Sequence, residues 1–265
     1  MKFTKLLLIL SAMFQLSLVA NSQNQVFTTQ DSLRGSITAE RAWWDLTFYH
    51  LDVKVSLPDS SFEGANTINY KVLAPSQLMQ IDLQQPMQIT GVSQDGKNLD
   101  FKRVGNAWYI TLLKKQNTGD RNEIKVLFSG KPQVSKRPPW SGGVSWKKDD
   151  NQNPFIVTTC QGDGASLWWP CKDHQYDEPD STLITVTVPE KLTDVSNGRL
   201  RSVVQNADHT QTFTWFVSQP INNYCVNLNI ADYVHFAEKY KGEKGTLDCD
   251  YYVLSYNLEK AKQQF

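Results

Sequence analysis

Net charge is absent from this chain: its 265 residues carry 27 basic and 27 acidic side chains. That leaves no electrostatic case for nucleic acid or for an anionic membrane surface. Histidine is scarce, with four residues at positions 50, 174, 209 and 235. No two of them are four apart, so the His-Glu-x-x-His helix that presents two zinc ligands and a base on one face is missing. Cysteine is as sparse, and Cys160, Cys171, Cys225 and Cys249 form no C-x-x-C pair, which argues against a zinc ribbon or a thioredoxin-like site. The chain also lacks a Gly-x-Ser-x-Gly nucleophile elbow, an Asn-x-Ser/Thr sequon and a repeat of fixed period. Beyond residue 20 no apolar run is long enough to cross a bilayer.

Aromatic residues are plentiful: eight Trp, ten Tyr and twelve Phe, a composition that favours sheets. With 40% hydrophobic and 20% charged residues the chain belongs with ordinary globular proteins. Its beginning resembles an export leader. Lys2 and Lys5 form a basic start, residues 6–20 are apolar but interrupted by Gln15, and Ala20, Asn21 and Ser22 place small residues at a cleavage site. The stretch is shorter than a spanning helix requires. Residues 1–22 are therefore expected to be a signal peptide cut before Gln23, with a periplasmic or extracellular destination. Loss of Lys2 and Lys5 leaves 25 basic against 27 acidic residues, a net charge of about −2. Export permits disulfides, and four cysteines allow three full pairings; a core of this size also accommodates them as buried free thiols.

Residues 23–40 are polar and read as a flexible lead-in. From Trp43 the period is two. Tyr49, Leu51, Val53, Val55 and Leu57 alternate with His50, Asp52, Lys54 and Ser56, and Ile68, Tyr70 and Val72 alternate with polar neighbours. Asp95-Gly96 marks a hairpin. Further alternating runs centre on Ile110, Val126, Val186, Trp215, Leu228 and Leu254. Residues 131–154, with three prolines in 131–139 and Gly142-Gly143, read as a long loop of functional length, which Trp140 and Trp146 would pack on something. About ten short strands with turns between them predict an all-β, saddle-shaped sandwich over residues 41–256. Residues 257–265 read as the start of a helix with Asn257 as N-cap and no stop signal, as in a chain cut inside the element.

The densest punctuation lies in residues 160–189, CQGDGASLWWPCKDHQYDEPDSTLITVTVP. Together with YHLDVKVSLPDSSFEGANTINYKV (Phe62 and Gly64 at its bend), IDLQQPMQITGVSQDGKNLDF and PINNYCVNLNIADY from Pro220, in that order, it resembles the N-terminal β-domain of the aminopeptidase N-like zinc metallopeptidases, which include leukotriene hydrolase relatives. The likeness covers residues 45–265. It implies that the loop bearing Gln161 reaches the active site of the intact enzyme, where a Gln or Glu contacts the N-terminal residue or the α-ammonium of a peptide substrate. A side-chain carbonyl can accept a hydrogen bond from an ammonium, which needs such partners when buried. Gly162 beside it would allow close backbone approach or a tight turn. Trp168 and Trp169 read as packing anchors, and Asp173, Asp177 and Glu178 as turn caps, since their spacing does not fit an EF-hand. The resemblance further implies zinc in the intact enzyme, held by residues outside this chain, and a catalytic domain as partner. The family's Gly-x-Met-Glu-Asn-like loop is absent too. The chain alone is expected to hold no zinc and to be inactive. The rival readings are a β-sandwich module binding peptide or carbohydrate through exposed Trp140 and Trp146, and a degenerate peptidase relative kept as a scaffold.

Overall fold

The computed structural model describes residues 27–265; the expected signal peptide and its cleavage point lie outside the described residues. The chain is all-β, as its alternation predicts, with several sheets and a short helix near residue 265. Its strands are β1 (Trp44–Ser56), β2 (Ser61–Val72), β3 (Leu78–Asp82), β4 (Gln88–Gln94), β5 (Lys97–Asn98), β6 (Asp100–Val104), β7 (Ala107–Thr111) and β8 (Arg121–Gly130). Then follow β9 (Gly143–Lys148), β10 (Pro154–Thr159), β11 (Ser181–Pro189), β12 (Thr193–Val195), β13 (Arg199–Gln205), β14 (Thr210–Val217), β15 (Asn229–Ala231), β16 (Tyr233–Gly242) and β17 (Gly245–Leu254).

Eight of these form the main sheet in the order β13-β14-β11-β1-β2-β8-β4-β5. All its neighbours are antiparallel except β1 and β11, which run parallel with Leu51 opposite Ile184. A four-stranded sheet, β12-β15-β10-β9, and a three-stranded one, β3-β7-β6, accompany it, and β16 with β17 forms a separate hairpin. Period-two alternation decides which face is buried. In β1, Tyr49, Leu51, Val53 and Val55 enter the core while Asp52 and Lys54 stay wet. Ile184, Val186 and Val188 do the same in β11. Trp168 and Trp169 are fully buried. Trp169 meets Tyr49 edge-on at 5.1 Å and Trp168 meets Phe62 at 6.0 Å, the edge-to-face geometry that aromatic quadrupoles favour. The two indoles thus fasten the segment after residue 160 to strands β1 and β2.

Four expectations need correction. The lead-in is not all irregular: Thr29–Gly35 is a helix and Ala39–Ala42 a further short turn of one. Thr28 and Asp31 close a reciprocal capping box on the first, satisfying end donors that would otherwise lack partners. The 131–154 loop contains β9, whose Val144 exchanges backbone bonds with Gln133 and Ser135. Trp146 lies within β9 and packs on Phe62 at 5.5 Å, whereas Trp140 remains 69% exposed; the paired aromatic platform of the module reading is therefore not formed. Val226, Leu228 and Ile230 are buried in alternation as expected, but only Asn229–Ala231 is a strand, because the Leu228 N–H is taken by the Thr158 hydroxyl. Finally, the Leu258–Gln264 helix begins with no side-chain cap bond from Asn257; a 3₁₀ turn, Ser255–Asn257, leads into it instead.

Candidate functional site

The loop bearing Gln161 starts where β10 ends. Asp163 N–H and Gly164 N–H both donate to the Cys160 carbonyl, at 3.1 and 2.9 Å, folding residues 160–164 into one tight turn. Gly162 and Gly164 take φ of 76° and 83°, positive values that cost glycine little, and Gly164, with ψ of 175°, lies where essentially only glycine goes. The turn runs into the 3₁₀ helix Ala165–Leu167. Its end is capped by Asp173, which accepts from Ser166 N–H at 3.1 Å, from Ser166 Oγ at 2.6 Å and from Ala165 N–H at 3.3 Å. The capping role predicted for Asp173 is thus seen. Asp177 does something else: it pairs with buried Lys172. Gln84 supports the loop from the main-chain side, donating from Nε2 to the Asp163 carbonyl at 2.5 Å and from its N–H to Ser166 O at 2.8 Å.

Gln161 itself is exposed. Its Oε1 accepts from the Tyr224 hydroxyl at 2.5 Å. Tyr224 sits in the 3₁₀ turn Asn223–Cys225, which the Asn222 side chain caps through Tyr224 N–H. Tyr224 lines a cleft of about 510 Å³, together with residues that include Arg34, Gly162, Gly164 and His174. Gln161 does not line it and meets it through Tyr224. The amide retains a second lone pair on Oε1 and two N–H donors on Nε2, the equipment for an ammonium or a peptide group. Asp31 is at the cleft edge, and the Thr28 hydroxyl and N–H beside its carboxyl hold it below the usual range. Burial pushes the Cys160 thiol up to about 12, so this cysteine is a packing residue and not a nucleophile. All four cysteines are free thiols, Cys160 and Cys171 buried.

The two loop glycines differ in a testable way. A Cβ on Gly164 would lie 2.4 Å from Asp173 Oδ2, whereas one on Gly162 would meet nothing within 4 Å. Gly162→Ala should therefore cost only the left-handed backbone penalty, about 1 kcal/mol. Gly164→Ala should cost more, about 2–4 kcal/mol, because φ 83° with ψ 175° is a region that essentially only glycine occupies and because the Asp173 cap is lost as well. Urea unfolding of the two variants checks the order; equal losses would contradict the packing described.

The sequence pattern points to Gln161 and Gly162 but to neither Tyr224 nor Arg34. The Gln161–Tyr224 bond spans 63 residues, and no local pattern announces it. The donor set does not suit zinc: among the described residues no group of three or more His, Cys, Asp or Glu could hold a metal. The four histidines have separate partners: His50 bonds Thr185, His174 the Gly35 carbonyl and Tyr176 N–H, His209 Glu190 and His235 Asp250.

Fold and loop together define a multi-sheet β-domain that presents a glycine-hinged loop at a surface cleft. The Peptidase M1 N-terminal domain profile matches residues 46–225, and the chain belongs to this family. Among solved structures it is similar to an M1 zinc metallopeptidase from Deinococcus radiodurans. A point mutant of that protein aligns with a TM-score of 0.70 at 16% identity over 84% of this chain and 50% of the other. The same mutant with a Tyr-Ser-Ala substrate bound gives 0.68 at 16% over 82% and 49%, and a further structure of the protein gives 0.67 at 16% over 80% and 48%. At this identity the likeness establishes the fold. The chain spans about half the length of these structures. No curated protein sequence matches it significantly.

Proposed function

We propose that this chain is the N-terminal β-domain of an exported zinc aminopeptidase and forms one wall of its substrate pocket through Gln161 and Gly162. The observation that carries the reading is the turn at 160–164, fastened by Asp173 and Gln84, which leaves Gln161 exposed and bonded to Tyr224 on the lining of a cleft. Membership of the M1 N-terminal domain family and a relative solved with a peptide substrate support it. The reaction is removal of the first residue of a peptide, with the Gln161 carbonyl oxygen accepting from the substrate's α-ammonium. Zinc belongs to a catalytic domain whose ligands are not among the described residues, so the chain alone is inactive. That domain packs against sheet surfaces which here carry exposed apolar side chains, such as Leu200, Val203 and Val204 of β13 and Leu247 of β17. Export follows from the basic and apolar start of the sequence and places the enzyme in the periplasm or outside the cell.

The test is Gln161→Ala in the intact peptidase that carries this domain. A hydrogen bond to a charged group contributes about 1.5–3 kcal/mol, so kcat/KM for peptides with a free N-terminus should fall roughly 10- to 100-fold. Unchanged kinetics across several N-terminal residues would remove Gln161 from the pocket.

A further inference from the structure

We infer that Arg34 is a positioning residue which locks the Gln161 loop from outside, through a strap formed by residues 28–42. The inference rests on the loop's proposed role, but the ordering of the loop can be measured apart from that role.

The Thr29–Gly35 helix buries no residue, and seven residues are too few for a helix to persist on propensity. Polar bonds to the rest of the domain hold it. Asn106 N–H donates to Gln30 Oε1 at 3.0 Å and Gln80 Nε2 to the Leu33 carbonyl at 3.2 Å. Its footing is ionic and buried. Arg41, wholly buried, pairs with Asp82 at 2.6 Å and donates from Nη1 to the carbonyls of Arg34 and Ser36 at 3.0 and 2.8 Å. Asp82 in turn accepts from Asp173 N–H at 3.1 Å and pairs through its backbone with Cys171. Asp173 caps the loop from below, so the foot of the strap and the underside of the loop share one set of anchors.

From that footing the helix sends one side chain across the loop: Arg34 Nη2 donates to the Gly162 carbonyl at 3.1 Å. The bond falls on a critical peptide plane. Gly162 C=O and Asp163 N–H belong to the same planar unit and point in opposite directions. The N–H goes to Cys160 O, and the C=O goes to Arg34. Rotating this plane breaks both bonds at once, and a glycine with φ of 76° offers no steric resistance of its own to such rotation. Arg34 supplies that resistance, and so fixes the direction in which Gln161 leaves the turn.

The experiment uses Arg34→Ala and Arg34→Lys in this chain. Hydrogen exchange is followed at the Asp163 and Gly164 amides, with amides of β1 and β11 as internal reference. Loss of one charged hydrogen bond at an exposed site should speed exchange of the loop amides roughly three- to tenfold in the Ala variant. Lys, whose ammonium can still donate to the Gly162 carbonyl but lacks the planar fork of Arg, should recover part of the protection, and the strand amides should not change. Loop exchange equal in all three proteins overturns the inference. In the intact peptidase Arg34→Ala should raise KM for peptides with a free N-terminus while kcat is largely kept, with partial rescue by Lys. Faster loop exchange with unchanged KM would uphold Arg34 as the lock and count against the loop as a substrate wall.

Discussion

Replacing Lys172 with methionine is expected to destabilise the domain by about 3–5 kcal/mol, because it strands the Asp177 carboxylate in the interior. The ammonium is fully buried. It lies 2.5 Å from Asp177 Oδ2, donates to the Trp44 carbonyl at 2.6 Å and sits 4.0 Å above the Trp44 ring. Methionine matches the volume and supplies none of these partners. Asp177 keeps only the Leu46 N–H, at 3.2 Å. Adding Asp177→Asn should recover most of the loss, since the charge disappears while an acceptor for Leu46 remains. Urea unfolding of the wild type, both single variants and the double variant closes the cycle; a loss below about 1 kcal/mol for Lys172→Met would show that the Asp177 carboxylate is not stranded in the interior. The effect extends to the candidate site. Lys172 N–H donates to the Tyr49 hydroxyl and Lys172 O accepts from Asn223 Nδ2. The same residue thus ties the central strand β1 to the turn that brings Tyr224 onto Gln161.

Wherever burial alternates, the sequence displays the fold. β1, β2, β8, β11 and β14 each put apolar side chains on one face, and Asp95-Gly96 turns between β4 and β5 as its residue types demand. Elements that bury little leave no such trace. β13 is exposed along its whole length, and the Thr29–Gly35 helix has no buried face, so neither shows a period. Val144 and Ser145 are adjacent and both buried, which hides β9 among the prolines and glycines around it. The Trp-Trp pair was readable as an anchor because two indoles beside a proline have few uses other than packing. The Asp177–Lys172 pair was not, because four residues of irregular chain separate partners whose meeting depends on β1. The site divides in the same way: the hinge glycines stand in the sequence, whereas Tyr224 and Arg34 reach Gln161 and Gly162 across 63 and 128 residues. Contacts of that span depend on tertiary anchors, such as Arg41–Asp82 under the strap and Asn223 on the Lys172 carbonyl, and not on any local pattern.

Asp194→Asn is expected to stabilise the protein at pH 8 by up to about 3 kcal/mol, the range for relieving an unpaired buried polar or charged group, and to flatten its dependence on pH. Asp194 lies in β12 with no exposure. Its Oδ2 accepts from Trp215 Nε1 at 3.0 Å, but Oδ1 has no partner. Burial therefore pushes the carboxyl well above the usual carboxylate range, and the single Trp215 bond opposes this only in part. The folded protein holds the Asp194 proton to higher pH than the unfolded chain does. Stability from this group is complete below the unfolded value near 3.8 and is lost as pH rises towards the folded one. Asparagine keeps an acceptor for Trp215 and cannot ionise, so the variant should gain on the wild type as pH rises from 4 to 8. Thermal midpoints at pH 4, 6 and 8 decide it, a gain of 2 kcal/mol corresponding to roughly 4–8 °C for a domain of this size. Asp82 keeps a residual slope in both proteins, since burial raises its carboxyl too, with Arg41 acting against it. Parallel curves for wild type and variant would mean that Asp194 is solvated or paired in solution, and the sealed face of β12 against Trp215 would then be wrong.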